Sequence, residues 1–219
     1  MEINSNDCNQ PLIVSFLTIR KGIGILGILL PVVLPLGTFF LPPCGFQTCI
    51  SNYYYTRMGD CLVGILCAMG LFLFCYKGYE KKDTVAAKLA SIFALLIALF
   101  PTTPGPACTV RASSGCSWVG VVHLTAASLL FLTFAYMSIF LFTKSAGNRT
   151  VQKVKRNRVY RICGVVILVS LVLILVFALD DHLNIKFYKY NPIFYLEALT
   201  LWAFGLSWLI KGEFLLKDK

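Results

Sequence analysis

The chain has 219 residues, of which 58% are hydrophobic and only 14% are charged, and its mean hydropathy is +0.75. Soluble domains are typically about 45–50% apolar and about 25% charged. The composition therefore excludes an ordinary soluble enzyme, a disordered chain and a collagen-like repeat, and it indicates a polytopic membrane protein. The formal net charge of +10 would suggest nucleic-acid binding in a soluble protein, so the positions of the basic residues have to be considered first.

Long apolar segments recur along the chain, and a membrane-spanning helix needs about 20 such residues. We predict six spans, at about 22–41, 60–76, 84–100, 118–142, 162–179 and 192–210. Continuous apolar runs favour helices, because the strands of a membrane barrel alternate in polarity. The sequence thus predicts an all-α fold, with residues 1–219 in a single six-helix transmembrane domain.

Two features of the first span concern its shape. Pro31 and Pro35 should bend the helix, because each lacks a backbone hydrogen-bond donor. Gly22, Gly24 and Gly27 match the G-x-G-x-x-G pattern of dinucleotide sites, but they follow no strand and open a spanning helix. The match is therefore due to chance or to close packing against another helix.

The basic residues set the orientation, because the cytoplasmic loops of membrane proteins carry an excess of Lys and Arg. With six spans, both termini lie on the same side as 16 of the 20 basic residues. The other side holds Arg57, Arg111, Lys186 and Lys189. We therefore predict cytoplasmic N and C termini, and we expect no nucleic-acid partner.

Nine cysteines are many for a chain of this length. Cys44, Cys49, Cys108 and Cys116 lie in the predicted outer loops, where an oxidising compartment favours disulfides. The pairs Cys44–Cys49 and Cys108–Cys116 each fit within one loop, pairing across loops fits equally well, and free thiols are the alternative. No C-x-x-C motif occurs, and we expect neither a metal site nor a cofactor.

Ionisable residues inside a bilayer are costly and are therefore candidates for function. His123 and Glu197 each lie five residues inside a span that enters from the outer side, which places both roughly 7–8 Å deep. Arg57 and Asp60 stand at the outer start of the second span, with the i, i+3 spacing that allows them to pair. These four residues predict a polar pocket in the outer third of the bilayer.

Such a pocket could relay protons, hold a metal or bind a lipid headgroup. The alternatives are a buried polar cluster that fixes helix packing, or interfacial residues that do not meet. Tyr53 and Tyr54 belong to an aromatic run beside the second span, which is typical of a membrane interface, and lining the pocket entrance is their alternative role.

The segment 144–161 carries seven Lys or Arg residues and no acid. Each basic residue near the surface is attracted to anionic lipid headgroups by about 1 kcal/mol. The alternative is that this basic loop only enforces the orientation of the chain.

Several short motifs together resemble the six-span membrane proteins grouped as domain of unknown function 998, and more distantly the eukaryotic FRAG/DRAM/SFK membrane proteins. The motifs are the prolines of the first span, Ile50-Ser51-Asn52-Tyr53 leading to Met58-Gly59-Asp60, Phe100-Pro101-Thr102, and His123 with Ala126 and Phe131. The resemblance implies six spans and a typical histidine in the fourth, which is His123. It supplies no reaction, and the lipid handling associated with the distant relatives is an analogy. Tyr53–Tyr55 and the loop cysteines depart from the family pattern.

Three functions fit these features. The first is a non-enzymatic membrane protein that binds or helps to distribute a lipid or small amphiphile through the outer pocket. The alternatives are a small transporter or proton-coupled carrier, and an intramembrane lipid-modifying enzyme. We expect a multi-pass protein of a bacterial inner membrane with membrane lipid as its partner. The sequence is also compatible with a homo-oligomer.

Overall fold

The computed structural model describes residues 10–105, 117–145 and 150–216. Within these ranges the chain is helical and has no strand, which confirms the all-α prediction. Seven α-helices occur: α1 (Gln10–Phe40), α2 (Gly59–Cys75), α3 (Lys81–Leu99), α4 (Ser117–Tyr136), α5 (Val151–Leu179), α6 (Asp181–Phe187) and α7 (Pro192–Lys211). The chain continues α4 as a π-helical turn over Met137–Leu141.

The six long helices form a closed ring. Each of α1 to α4 packs against the next helix in the chain, α5 packs on α4 and α7, and α7 completes the ring against α1. The short helix α6 joins α5 to α7. The helix α1 remains helical through Pro31 and Pro35.

Four helices are long and apolar enough to cross a membrane: Phe16–Phe40, Ser117–Leu141, Val151–Leu179 and Pro192–Lys211. The helix α2 is apolar but has only 17 residues, which gives a length of about 26 Å at 1.5 Å per residue. The helix α3 begins with Lys81, Lys82 and Asp83. Large apolar side chains are exposed on the outside of the ring, among them Val121 (64% exposed) and Val172 (59% exposed), as expected for a membrane-embedded protein.

The interior of the ring is filled by aromatic and aliphatic side chains. Phe134 stacks on Phe204 with ring centroids 3.6 Å apart, and Trp208 packs edge-on against Tyr76. All four rings are at most 2% exposed. This layer separates the two ends of the bundle, which we call the cap end, where residues 42–58 lie, and the basic end, where Arg20 and Lys211 lie.

At the basic end, the charged turn before α3 forms a helix cap. Asp83 Oδ2 accepts a hydrogen bond from the Glu80 backbone N–H, which completes a capping box. Lys144 pairs with Glu80 at 2.6 Å, and this cation lowers the pKa of the Glu80 carboxyl. Lys88 lies exposed on α3, 5.7 Å above the Phe74 ring, so the side chain covers apolar surface at the edge of the bundle.

Candidate functional site

Residues 42–58, the cap, fold over one end of the helix ring. Their centre is a 3-10 helix, Ser51–Tyr55, with Asn52, Tyr53 and Tyr55 buried. The Tyr53 hydroxyl accepts a hydrogen bond from the Gln47 backbone N–H at 3.2 Å, and the Thr56 hydroxyl donates to the Tyr53 carbonyl at 2.8 Å. The cap is therefore a packed element with its own hydrogen bonds.

Four long-range hydrogen bonds attach the cap to the rest of the described chain, and one of them, between Ser51 and His123, belongs to the site beneath the cap. The Ile50 N–H donates to Glu197 Oε2 at 2.6 Å, and the Phe194 N–H donates to the Thr48 carbonyl at 3.1 Å. The Tyr55 hydroxyl donates to the Thr102 carbonyl at 2.5 Å, which connects the cap to the chain after α3.

His123 is 5% exposed and lies beneath the cap. Its Nδ1 is 2.7 Å from the Phe100 carbonyl oxygen at the end of α3, and its Nε2 is 2.9 Å from the Ser51 hydroxyl. Because a carbonyl oxygen can only accept, Nδ1 carries the proton. In the neutral imidazole, Nε2 then accepts the hydrogen bond that the Ser51 hydroxyl donates.

Two connected cavities meet at this point. The larger, which we call the outer cavity, has a volume of about 400 Å³ and lies between α4, α5, the start of α7 and the cap. The smaller, of about 50 Å³, is an apolar recess that extends toward Leu66 and Met69 of α2. Both are lined by Ser51, His123, Ala127, Phe131 and Glu197. The junction thus has a polar end beneath the cap and apolar walls on the helices.

The family model described as "Protein of unknown function (DUF998)" matches residues 51–209, which is more than half of the chain. The chain belongs to the DUF998 family. The searches of curated proteins and of solved structures found no significant match. These comparisons do not support the more distant resemblance to the FRAG/DRAM/SFK proteins.

The structure of this DUF998 protein brings together only part of the predicted pocket. His123 is hydrogen-bonded to Ser51 of the cap, and Glu197 is hydrogen-bonded to the adjacent residue Ile50. Tyr54 lines the recess. Tyr53 is fully buried inside the cap.

Arg57 and Asp60 lie elsewhere in this DUF998 protein. Both are exposed, and neither lines the outer cavity or the recess. They stand where the chain turns from the cap into α2, on the outward side of that turn.

Ser51 is the functional candidate that the pocket prediction did not include. The sequence around His123 does not indicate that Ser51 is its hydrogen-bond partner, because the two residues are 72 positions apart in the chain. The residue pattern Ile50-Ser51-Asn52-Tyr53, which carried the family resemblance, was the signal that pointed to this segment.

Of the alternatives for the loop cysteines, the pairing of Cys44 with Cys49 is wrong. Cys49 has a free thiol, and Cys44 is disulfide-bonded. Cys49 lines the outer cavity beneath the cap. Cys108 and Cys116 lie outside the described residues, so their predicted pairing stays a prediction.

Burial changes the acidity of two cap groups. It raises the pKa of the Cys49 thiol well above its ordinary value, and the nearby Glu197 carboxylate adds to this effect. Burial also raises the pKa of the Tyr53 hydroxyl to about 12. Both groups are therefore protonated at neutral pH, and Cys49 is a poor nucleophile despite its place in the cavity.

No group of three or more His, Cys, Asp or Glu side chains within the described ranges is placed to hold a metal ion. Glu197 and His123 are hydrogen-bonded to the cap, and His123 is also hydrogen-bonded to the Phe100 carbonyl after α3.

Proposed function

We propose that this DUF998 protein binds a lipid or small amphiphile in the outer cavity, with the polar group of the ligand near Ser51 and His123. The observation that carries the proposal is the junction of a polar cluster and an apolar cavity of about 400 Å³. Ligand sites are typically concave, about 300–1,000 Å³ in volume and mostly apolar, with a few polar groups that orient the ligand.

The walls of the cavity support an acyl chain as the apolar part of the ligand. They include Leu124 and Phe131 of α4, and Leu171 and Ile174 of α5. Leu124 is 42% exposed and lies at the edge of the cavity, on the surface that would contact lipid. A chain entering between α4 and α5 would keep its methylene groups out of water throughout.

The packed aromatic side chains at the centre of the bundle favour ligand binding over transport. A transporter needs a polar path between the two ends. The stacked pair Phe134 and Phe204, together with Trp208, fills the space between the outer cavity and the basic end.

An aromatic substitution at Ala127 tests the lipid proposal. Ala127 lines both the outer cavity and the recess, so a phenyl ring from Ala127→Phe would occupy ligand space without removing a polar group. We expect native mass spectrometry of the purified protein to show one co-purifying lipid in the wild type. Its occupancy should fall about tenfold or more in the variant, which corresponds to a loss of at least about 1.4 kcal/mol.

The matched control is Thr125→Phe, on the exposed side of the same helix, which should retain the lipid. Ala127→Leu, a smaller change, should give an intermediate occupancy. Equal lipid content in the Ala127→Phe and Thr125→Phe proteins would contradict the proposal. The cluster around His123 would then serve helix packing alone.

We also propose that α2 and α3 cross the membrane, giving six spans with cytoplasmic termini in a bacterial inner membrane. The closed ring supports this, because α2 and α3 pack side by side between α1 and α4. The excess of basic residues at the end that holds both termini supports the orientation.

Cysteine labelling tests the span α2. Gly45 lies in open space in the cap, and Tyr79 is 79% exposed beyond the other end of α2. In a background without the free cysteines, a membrane-impermeant maleimide should label Gly45→Cys in intact cells and Tyr79→Cys only after lysis. Labelling of both in intact cells would mean that α2 does not cross the membrane.

A second candidate function rests on the Ser51–His123 hydrogen bond. A serine hydroxyl that donates to a histidine, whose other nitrogen is held by a fixed acceptor, is the arrangement of an activated nucleophile. Ser51 borders both cavities, so an ester group of a bound lipid could reach it. This site would then catalyse acyl transfer or hydrolysis within the membrane.

A further inference from the structure

A second large cavity lies at the opposite, basic end of the bundle. Its volume is about 430 Å³, and it is bordered by α1, α5, α7 and the turn before α3. Five cationic side chains line it: Arg20, Lys144, Lys153, Arg156 and Lys211. They come from four separate parts of the chain, so only the fold brings them together.

Arg20 is the most informative residue of this cavity, because its side chain is charged and yet only 6% exposed. Its Nη1 donates to the Lys211 carbonyl at 3.4 Å, and its Nε is buried without a hydrogen-bond partner among the described residues. The rings of Phe16, Tyr76 and Tyr79 surround the guanidinium at 5.5–5.8 Å. Cation–π contacts offset part of the cost of burying this charge, but they leave Nε without a hydrogen-bond acceptor among the described residues.

Lys211 lies beside Arg20 at the end of α7. Its ammonium group is 4.9 Å from the centre of the Tyr79 ring and 5.4 Å from that of Phe142. Within residues 10–105, 117–145 and 150–216, no carboxylate lies within ion-pair distance of either Arg20 or Lys211. Two neighbouring cations thus share one cavity wall without a pairing anion from these ranges.

The described carboxylates of the cavity do not pair with Arg20 or Lys211. They are Glu80, Asp83 and Glu213. Glu80 pairs with Lys144, and Asp83 accepts the hydrogen bond of the capping box. Glu213 is exposed just after α7. A bound anion would therefore neutralise the charge that Arg20 and Lys211 place on the cavity wall.

We propose that this basic cavity binds a phosphate group, held by Arg20 and Lys211 with Lys153 and Arg156 at the rim. A guanidinium offers a planar pair of donors that fits two phosphate oxygens, and a lysine adds a point charge. The ligand is a phosphomonoester or diphosphate of one of two sources: a phospholipid headgroup from the adjacent leaflet, or a soluble phosphate compound. The cavity is large enough for either.

Calorimetric titration of the full-length protein in detergent tests the site with two probes. The soluble probe is inorganic pyrophosphate, and the lipid probe is a detergent micelle containing phosphatidic acid, compared with phosphatidylcholine. We expect Arg20→Gln and Lys211→Gln each to weaken binding about tenfold or more, since hydrogen bonds between charged groups are stronger than those between neutral groups. Arg20→Lys should recover part of the affinity.

Arg158→Gln is the matched control, because Arg158 is an exposed arginine on α5 that does not line the cavity. It should change the affinity by less than about twofold, the effect of a screened surface charge. Binding of pyrophosphate identifies a soluble ligand, and binding of phosphatidic acid alone identifies a headgroup. The proposal is overturned if neither probe binds, or if Arg158→Gln weakens binding as much as Lys211→Gln. Lys211→Gln decides the outcome if the Arg20 variants do not fold.

Discussion

Replacing Gly205 with alanine should lower the free energy of unfolding by about 2–3 kcal/mol, at the upper end of the effects seen when a packed interior receives an extra methyl group. Gly205 lies in α7 where it crosses α1. A methyl group there would meet the Gly24 carbonyl oxygen at 2.7 Å and Ile28 Cγ1 at 2.6 Å. A backbone atom cannot turn aside as a side chain can, so the two helices would have to separate.

The contact between the helices is reciprocal. A methyl group on Gly24 would meet the Gly205 carbonyl oxygen at 2.8 Å, and one on Gly27 would meet the Phe204 ring at 3.0 Å. Small residues at such crossings let helix backbones approach closely, which stabilises helix pairs in membranes. This contact closes the ring between the first and last long helices.

Gly64 of α2 provides the matched control, because a methyl group added there has no neighbour within 4 Å. Gly64→Ala should leave stability unchanged or raise it by up to about 1 kcal/mol through helix propensity. Thermal unfolding in detergent, followed by loss of the monodisperse peak in size-exclusion chromatography, measures both variants. Equal melting temperatures for Gly205→Ala and Gly64→Ala would show that α1 and α7 do not pack as closely as described.

Hydropathy predicted the helices better than their ends. Each predicted span corresponds to one of the six long helices, but α1 begins at Gln10 and α5 at Val151, well before the predicted 22 and 162. The early turns of α5 carry Lys153, Lys155, Arg156 and Arg158, so an apolar window does not detect them. These turns are helical because the Thr150 side chain caps the helix by accepting a hydrogen bond from the Lys153 backbone N–H. They also continue directly into the apolar part of α5.

The glycine pattern shows what a sequence leaves open. Gly22, Gly24 and Gly27 were equally compatible with chance and with close packing. For Gly24 and Gly27 the position of α7 decides this, through contacts between residues about 180 apart in the chain, whereas Gly22 faces Phe72 of α2.

The level of His123 and Glu197 along their helices was predictable from the sequence, but the directions in which the candidate side chains point were not. Counting residues from the outer ends of two helices placed His123 and Glu197 at one level, because the rise per residue is fixed. Both contact the cap at Ile50 and Ser51. The rotation of α2 about its axis is set by packing, which no count provides, and Asp60 at its start lies outside the cavities for this reason. Arg57 lies in the turn before α2, whose path no count provides either. Ser51 was missed because loop paths have no periodicity.

The Ser51–His123 pair leads to a prediction that separates catalysis from packing. A fluorophosphonate probe carrying an alkyl chain should label Ser51 of the wild-type protein. The Ser51 oxygen would bond to phosphorus while fluoride leaves, and His123 Nε2 would accept the hydroxyl proton. Ser51→Ala should abolish labelling, and His123→Ala should slow it by about 10²–10⁴-fold, the usual contribution of a general base.

Ser128 is the matched control for this experiment, because it also lines the outer cavity but has no hydrogen bond to His123 among those described. Ser128→Ala should leave the rate of labelling unchanged. A protein that is not labelled, or one labelled equally with and without His123, would mean that the pair only fastens the cap to α4. In that case Ser51→Ala should cost about 1 kcal/mol of stability, the usual value of a single hydrogen bond. The loss of the Phe100 contact as well would make His123→Ala more costly than Ser51→Ala.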